Sequence, residues 1–185
     1  MRIFGAIALS LLLSACSTPT AKPLVQLYPS ANVESSSIGN QQLVFVSATD
    51  GRDLSSYSTA NINPSQNVPK ILTREISQGL KKQGFKTVTT SAGNEDQISI
   101  KLVTLDYRAL SGMASNHTET LVTAEVTATK PSGTVYKKIY TANATNESVL
   151  GVSSQTPSSQ VNQALDKLLN NILNDSSLTQ FLVKN

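Results

Sequence analysis

The chain has 185 residues, with 15 Lys and Arg against 12 Asp and Glu and a formal net charge of +3. The bases are scattered, with Lys81-Lys82 and Lys137-Lys138 the adjacent pairs, so the dense basic face of a nucleic-acid binder is missing and nucleic acid is excluded as a partner. A single cysteine, Cys16, and a single histidine, His117, exclude an intrachain disulfide and a His/Cys metal cluster, and no cofactor is implied.

Arg2 opens the chain and an apolar run, Ile3 to Leu13, follows it. At about eleven residues this run is shorter than the roughly 20 needed to span a hydrocarbon core, and residues 1–15 read as a secretory signal. Leu13-Ser14-Ala15-Cys16 resembles the lipobox of bacterial lipoproteins. That resemblance implies cleavage before Cys16, which then carries diacylglycerol and palmitate and anchors the chain to a membrane; several acyl chains together hold stably. In the lipoproteins it resembles, an Asp after the cysteine favours the inner membrane. Ser17 stands there instead, which implies an outer-membrane lipoprotein facing the periplasm. Roughly 170 residues remain after cleavage, enough for one domain.

Residues 16–41 are expected to form a lipidated tether rich in Ser, Pro and Asn, reaching roughly 25–30 Å as a flexible coil. Within it Leu24 to Tyr28, bracketed by Pro23 and Pro29, is apolar enough for an edge strand. The domain proper is then 42–185. Leu43-Val44-Phe45-Val46 reads as a strand buried on both faces. Ser47 to Gln66 is a polar segment too long for an ordinary connection, hence functional or mobile.

A first helix is predicted from Asn67-Val68-Pro69. Val68, Leu72, Ile76 and Leu80 form its apolar stripe, Lys81 and Lys82 sit in its last turn, and Gly84 caps it. Phe85 to Thr90 is a short strand. In the next strand Ile98, Ile100 and Leu102 share one parity and Val103, Leu105 and Tyr107 the other, which suggests a bulge or a change of cover. Leu110 to Asn116 is a connection. Val122, Ala124, Val126 and Ala128 alternate with polar residues, and Lys130-Pro131-Ser132-Gly133 turns into a return strand from Val135 to about Ala144. On that strand Tyr136, Lys138 and Tyr140 oppose Val135, Lys137 and Ile139.

The second helix begins at Thr156-Pro157, with Val161, Leu165, Leu168, Leu169, Ile172 and Leu173 inward and Asn162, Gln163, Lys167 and Asn170 on the wet face. Asp175 caps a short closing turn carrying Leu178, Phe181 and Leu182. The order β-α-β-β-β-β-α predicts an α+β two-layer sandwich. One mixed, mostly antiparallel sheet carries two helices on one face, and its first crossover is right-handed and parallel.

With these elements placed, the chain resembles the YajG family of bacterial lipoproteins. The carrying segments are the lipobox, Val46 through Asp50-Gly51-Arg52, Leu72 through Leu80 to Gly84-Phe85, the strand from Asp96, and the ending from Leu173 through Asp175 and Leu178 to Phe181. The resemblance runs along nearly the whole chain and implies an outer-membrane lipoprotein, with no reaction attached.

No residue set in the sequence assembles a catalytic site. His117 lacks a companion nucleophile motif and reads as a polar residue at a strand start. Asp50 and Arg52, with Asp53, are the densest charge group. Arg52 could offer its planar donor fork to a carboxylate or phosphate, and the structural alternative, which we prefer, is pairing with Asp50 or Asp53 in a turn. Glu95-Asp96 reads as a solvated turn. Tyr107, Tyr136 and Tyr140 could line an exposed sheet face for binding, although Tyr in strands usually reflects β-propensity and cross-strand packing. The expectation is a non-enzymatic lipoprotein with a periplasmic interaction domain for an envelope protein. The alternative is a binder of a glycan, peptidoglycan fragment or lipid, which a pocket of several hundred Å3 with convergent polar groups would favour.

Overall fold

Alternating burial along one strand, Leu43–Asp50, sets the layering: Val44 and Val46 are buried while Leu43 and Phe45 are half-covered. The structure, a computed structural model, describes residues 22–53, 61–111, 115–149 and 156–184. In chain order the elements are β1 (Leu24–Val25), β2 (Leu43–Asp50), β3 (Asn63–Pro64), α1 (Val68–Lys82), β4 (Lys86–Val88), β5 (Asp96–Ser111), β6 (Ser115–Thr129), β7 (Val135–Val149), α2 (Pro157–Leu173) and α3 (Ser176–Val183). A five-stranded sheet of order β4-β2-β5-β6-β7 carries the helices, and the fold is the expected mixed-sheet α+β sandwich. The expectation that β2 is buried on both faces fails, because only one face of the sheet is covered.

Both β4 and β5 pair in parallel with β2, on opposite sides of it, while β5-β6-β7 is an antiparallel meander. The parallel crossover through α1 is therefore as expected, but β5 is a second parallel partner of β2 rather than a continuation of a meander from β4. Further along β5 the register steps from Leu102↔Ala124 to Thr104↔Thr123. Val103 is the extra residue, and it is 38% exposed. One added residue reverses the side-chain parity, so Leu102 and Leu105 fall on the same buried face. The sequence's change of parity is thus a bulge that keeps one face covered. β2 runs to Asp50 and the β5–β6 strands run closer to their turn than expected, which shortens both predicted connections.

α1 begins where the Asn67 side chain accepts from Lys70 N–H, with Pro69 in the first turn. It ends in a Schellman closure: Gly84, at φ +88°, donates to Lys81 C=O, and Phe85 N–H donates to Leu80 C=O. Phe85 and Leu80 are both buried, the apolar contact that accompanies such ends. In mid-helix Gly79 lets Leu173 of α2 pack against the α1 backbone, where a Cβ would collide with it. α2 lays Val161, Ala164, Leu165, Leu168, Leu169 and Ile172 on the sheet, and Gln160 reaches beneath the helix to donate to Thr118 C=O and Ala144 C=O at 2.7 and 3.1 Å.

The segment expected to be a tether is, from Lys22 onward, part of the fold. Val25, Leu27, Pro29, Ala31 and Val33 point inward and the residues between them outward. This extended strap lies along α2, whose side chains receive its alternate backbone N–H groups. Gln26 donates to Ser158 Oγ, Tyr28 to Asn162 Oδ1, Ser30 to Asp166 Oδ1 and Asn32 to Asn170 Oδ1, at 3.1, 2.6, 2.7 and 2.7 Å. Two extended residues advance about 6.6 Å and four helical residues about 6.0 Å, so the two periods nearly match. Asn162 is therefore not on a wet face; it is 3% exposed, and its Nδ2 also donates to Gln26 C=O and Ser158 C=O. Of the predicted edge strand, Leu24–Val25 pairs in parallel with Asn63–Pro64, apart from the main sheet.

Asn162→Ala is expected to cost about 2 kcal/mol, because it leaves a strap donor and acceptor without partners. Hydrogen exchange should show Tyr28 opening well below the global unfolding free energy. Unchanged protection at Tyr28 would show that the apolar side of the strap alone holds it.

Candidate functional site

The residues singled out from sequence are dispersed. Cys16 lies outside the described residues, as does most of the polar segment after Asp53. Arg52 closes its fork on Asp50, with Nε to Oδ1 at 2.9 Å and Nη2 to Oδ2 at 2.7 Å, and its side chain is 5% exposed. The Arg52 hydrogen bonds hold the Asp50 carboxyl below the usual carboxylate range against the upward push of burial. The fork is thus occupied within its own turn. His117 faces Glu147 across the β6–β7 ladder at 3.6 Å. Among the described residues no three His, Cys, Asp or Glu side chains group as metal ligands.

Glu95 and Asp96 are not solvated; both are 2% exposed, and they point to different partners. Glu95 accepts from the Ser91 hydroxyl and from Ala92, Gly93 and Asn94 N–H, which hold its carboxyl down. Asp96 accepts from Lys130 Nζ and Gln42 Nε2, each at 2.9 Å, and Lys130 Nζ also donates to Leu182 C=O at 2.6 Å. Of the two readings of the tyrosines, the packing one holds. Tyr140 is 5% exposed and Tyr136 half-buried on the helix-covered face, because they stand opposite the small residues Ala124 and Ala128 of β6. Their hydroxyls donate to Asp175 Oδ2 at 2.7 and 3.2 Å, beside Lys138 Nζ at 2.6 Å. Tyr107 is half-buried on the same face of β5 as Leu105, its backbone N–H and C=O both held by the Asn61 carboxamide.

One cleft brings unpaired polar groups together with an apolar lining. It opens where the strap leaves α2, encloses about 540 Å3, and is lined by Val33 and Glu34 of the strap, Gln83 after α1, Leu173 and Asn174 at the end of α2, and Val183 of α3. Asn174 occupies the rung after Asn170 in the strap-binding row, and Glu34 the rung after Asn32. The accumulated difference between the two periods is about 2 Å there, and the helix has ended. Among the described residues neither the Glu34 N–H nor the Asn174 carboxamide has a partner. Gln83 is 8% exposed; its Nε2 donates to Leu173 C=O at 2.6 Å and its Oε1 is left unpaired. A neighbouring groove of about 570 Å3 along β7 is different, since Lys138, Tyr140, Asn171 and Asp175 on its walls already bond to protein groups. Sequence reasoning missed the cleft, although the row Ser158, Asn162, Asp166, Asn170, Asn174 at spacing four carried its signal.

A mixed sheet covered on one face, with a strap from Lys22 onward laid along its last long helix, defines a small two-layer α+β domain. The chain belongs to the Lipoprotein_16 family, described as uncharacterized lipoprotein, whose model matches residues 29–183; this agrees with the YajG-type resemblance. No curated protein matches. Among solved structures the chain is similar to the hypothetical protein CT253 from Chlamydia trachomatis at 11% identity and a TM-score of 0.52, covering 78% of this chain and 99% of that one. It is also similar to the rare lipoprotein B from Shewanella oneidensis (14% identity, TM-score 0.41, 76% and 99% covered) and to a minor lipoprotein from Acinetobacter baumannii (11%, 0.40, 77% and 91%). Among the described residues no helix is long and apolar enough to cross a membrane.

Proposed function

We propose that the chain is a non-enzymatic outer-membrane lipoprotein, anchored through Cys16, whose periplasmic domain is an interaction module for an envelope protein. The direction of the strap carries this reading. Gln26 bonds to Ser158 in the first turn of α2, and the strap runs along that 17-residue helix, about 25 Å, before reaching the cleft. The fully extended chain from Cys16 to Gln26 reaches at most about 35 Å, so a lipid on Cys16 would tie the start of α2, rather than the cleft end, to the membrane and leave the cleft free to meet a partner. The charged groups that sequence offers for catalysis are paired for structure, which supports a binding role over a reaction.

Photo-crosslinking in living cells tests this. A reactive residue replacing Gln180, exposed at the cleft rim, should give a discrete protein adduct, while one at Thr127 on the uncovered sheet face should give none. Adducts only to glycan or lipid would favour the small-ligand alternative, which draws on the volume of the cleft. No adduct from Gln180 would overturn the module.

A further inference from the structure

We infer that the cleft between the strap and α3 is a recognition site for an uncharged, extended peptide segment bearing an aliphatic side chain. The inference rests on the interaction-module reading and names what the module holds. The chemistry of the wall selects it. Glu34 N–H is a free donor and the Asn174 carboxamide offers both a donor and an acceptor, with Gln83 among the residues that line the cleft beside them. A peptide unit presents one C=O and one N–H and can answer such a set, as a hydroxyl also can, whereas an ion answers only part of it.

Charge excludes the anionic classes. Among the described residues Glu34 is the one charged side chain on the wall, and no Lys or Arg lines it. Phosphate-bearing and carboxylate ligands would meet repulsion with no compensating base. Between the neutral sources of a secondary amide, an acetamido sugar and a peptide, the apolar lining decides. Val33, Leu173 and Val183, with Ile38 at 52% exposure on the rim, present aliphatic surface, and among the described residues no aromatic ring lines the cleft on which a pyranose could stack. The volume of about 540 Å3 suits a segment of three or four residues. Its backbone would continue the missing rung, taking the Glu34 N–H as α2 side chains take those of Gln26 through Asn32, a main-chain recognition mode with one side-chain pocket.

The test uses the full-length lipidated protein, 15N-labelled, in detergent micelles, with N-acetyl-Ala-Val-Ala-amide as probe and N,N′-diacetylchitobiose as the sugar comparison. The peptide should shift the Glu34 backbone amide and the Asn174 and Gln83 side-chain amides saturably. Val183→Trp, which fills the cleft, should weaken this at least tenfold, as should the exposed Asn174→Ala, where folding is not in question. No saturable shift, shifts elsewhere, or equal response to chitobiose overturns the peptide assignment. So does wild-type affinity in both variants. A protein adduct from Gln180 in cells without peptide binding would overturn this inference while sparing the module; peptide binding with no adduct would do the reverse.

Discussion

Lys130→Met is expected to destabilise the protein by about 3–5 kcal/mol, the usual cost of stripping one partner from a buried ion pair. Asp96 is 2% exposed, and the Lys130 side chain 11% exposed. Without Lys130 the carboxylate keeps only the Gln42 amide, and Leu182 C=O near the end of α3 loses its donor. The same ammonium therefore ties the start of β5 to the last helix, and it stands 5.7 Å from the centroid of the Phe181 ring, a contact that Met also loses. Urea denaturation should show the loss in midpoint with an unchanged slope. The double variant Lys130→Met, Asp96→Leu should recover most of it, because no uncompensated charge remains. If the double variant is as weak as the single one, the loss lies in the Leu182 contact rather than in the charge on Asp96.

Periodicity made the layers readable, and pairing made the rest obscure. The stripe Val68, Leu72, Ile76, Leu80 and the alternation Val122 to Ala128 each have one geometric solution, so both elements stand where the residues put them. The bulge at Val103 was readable for the same reason, since a parity change in a strand with one covered face requires an extra residue. The strap was not. Val25, Leu27, Ala31 and Val33 alternate as cleanly as any strand, but Pro29, the Ser and Asn residues between them, and the proximity to Cys16 suggested a linker.

Its partner row failed for a complementary reason. Asn162, Asp166, Asn170 and Asn174 at spacing four look like the wet stripe of a helix, and only a chain lying on them turns them into a ladder. Tyr136 and Tyr140 were placed on the right strand and the right shared parity. Which parity is covered is decided by Ala128 and Ala124 on the neighbouring strand, a cross-strand fact that no single segment contains. The cleft is one step further removed, because it is the place where strap and helix lose register.

Asp175→Ala should cost about 3 kcal/mol, and the acid limb of the stability profile should report the same residue. Asp175 does two jobs with two oxygens. Oδ1 accepts from Ser177 and Leu178 N–H and caps α3, a contribution of about 1 kcal/mol. Oδ2 gathers Lys138, Tyr140 and Tyr136, and its loss leaves the buried Tyr140 hydroxyl with only its contact to Tyr136. Asp175→Asn separates the two, since Asn caps as well as Asp does but brings no charge to Lys138; it should lose about half as much.

Burial pushes the Asp175 carboxyl up, yet the Lys138 ammonium, the Tyr140 hydroxyl and the Ser177 N–H outweigh it and hold the group well below the usual carboxylate range. A carboxyl whose native pKa is depressed contributes its stability above its unfolded value, about 3.9, and loses it as pH falls from there through the native one. Stability should therefore be flat in this contribution above about pH 5 and fall below pH 4. In Asp175→Ala that part of the fall should be missing, so that variant and parent converge as the pH drops. Parallel curves down to pH 2 would mean that Lys138 and the two tyrosines hold Asp175 no more tightly than water does.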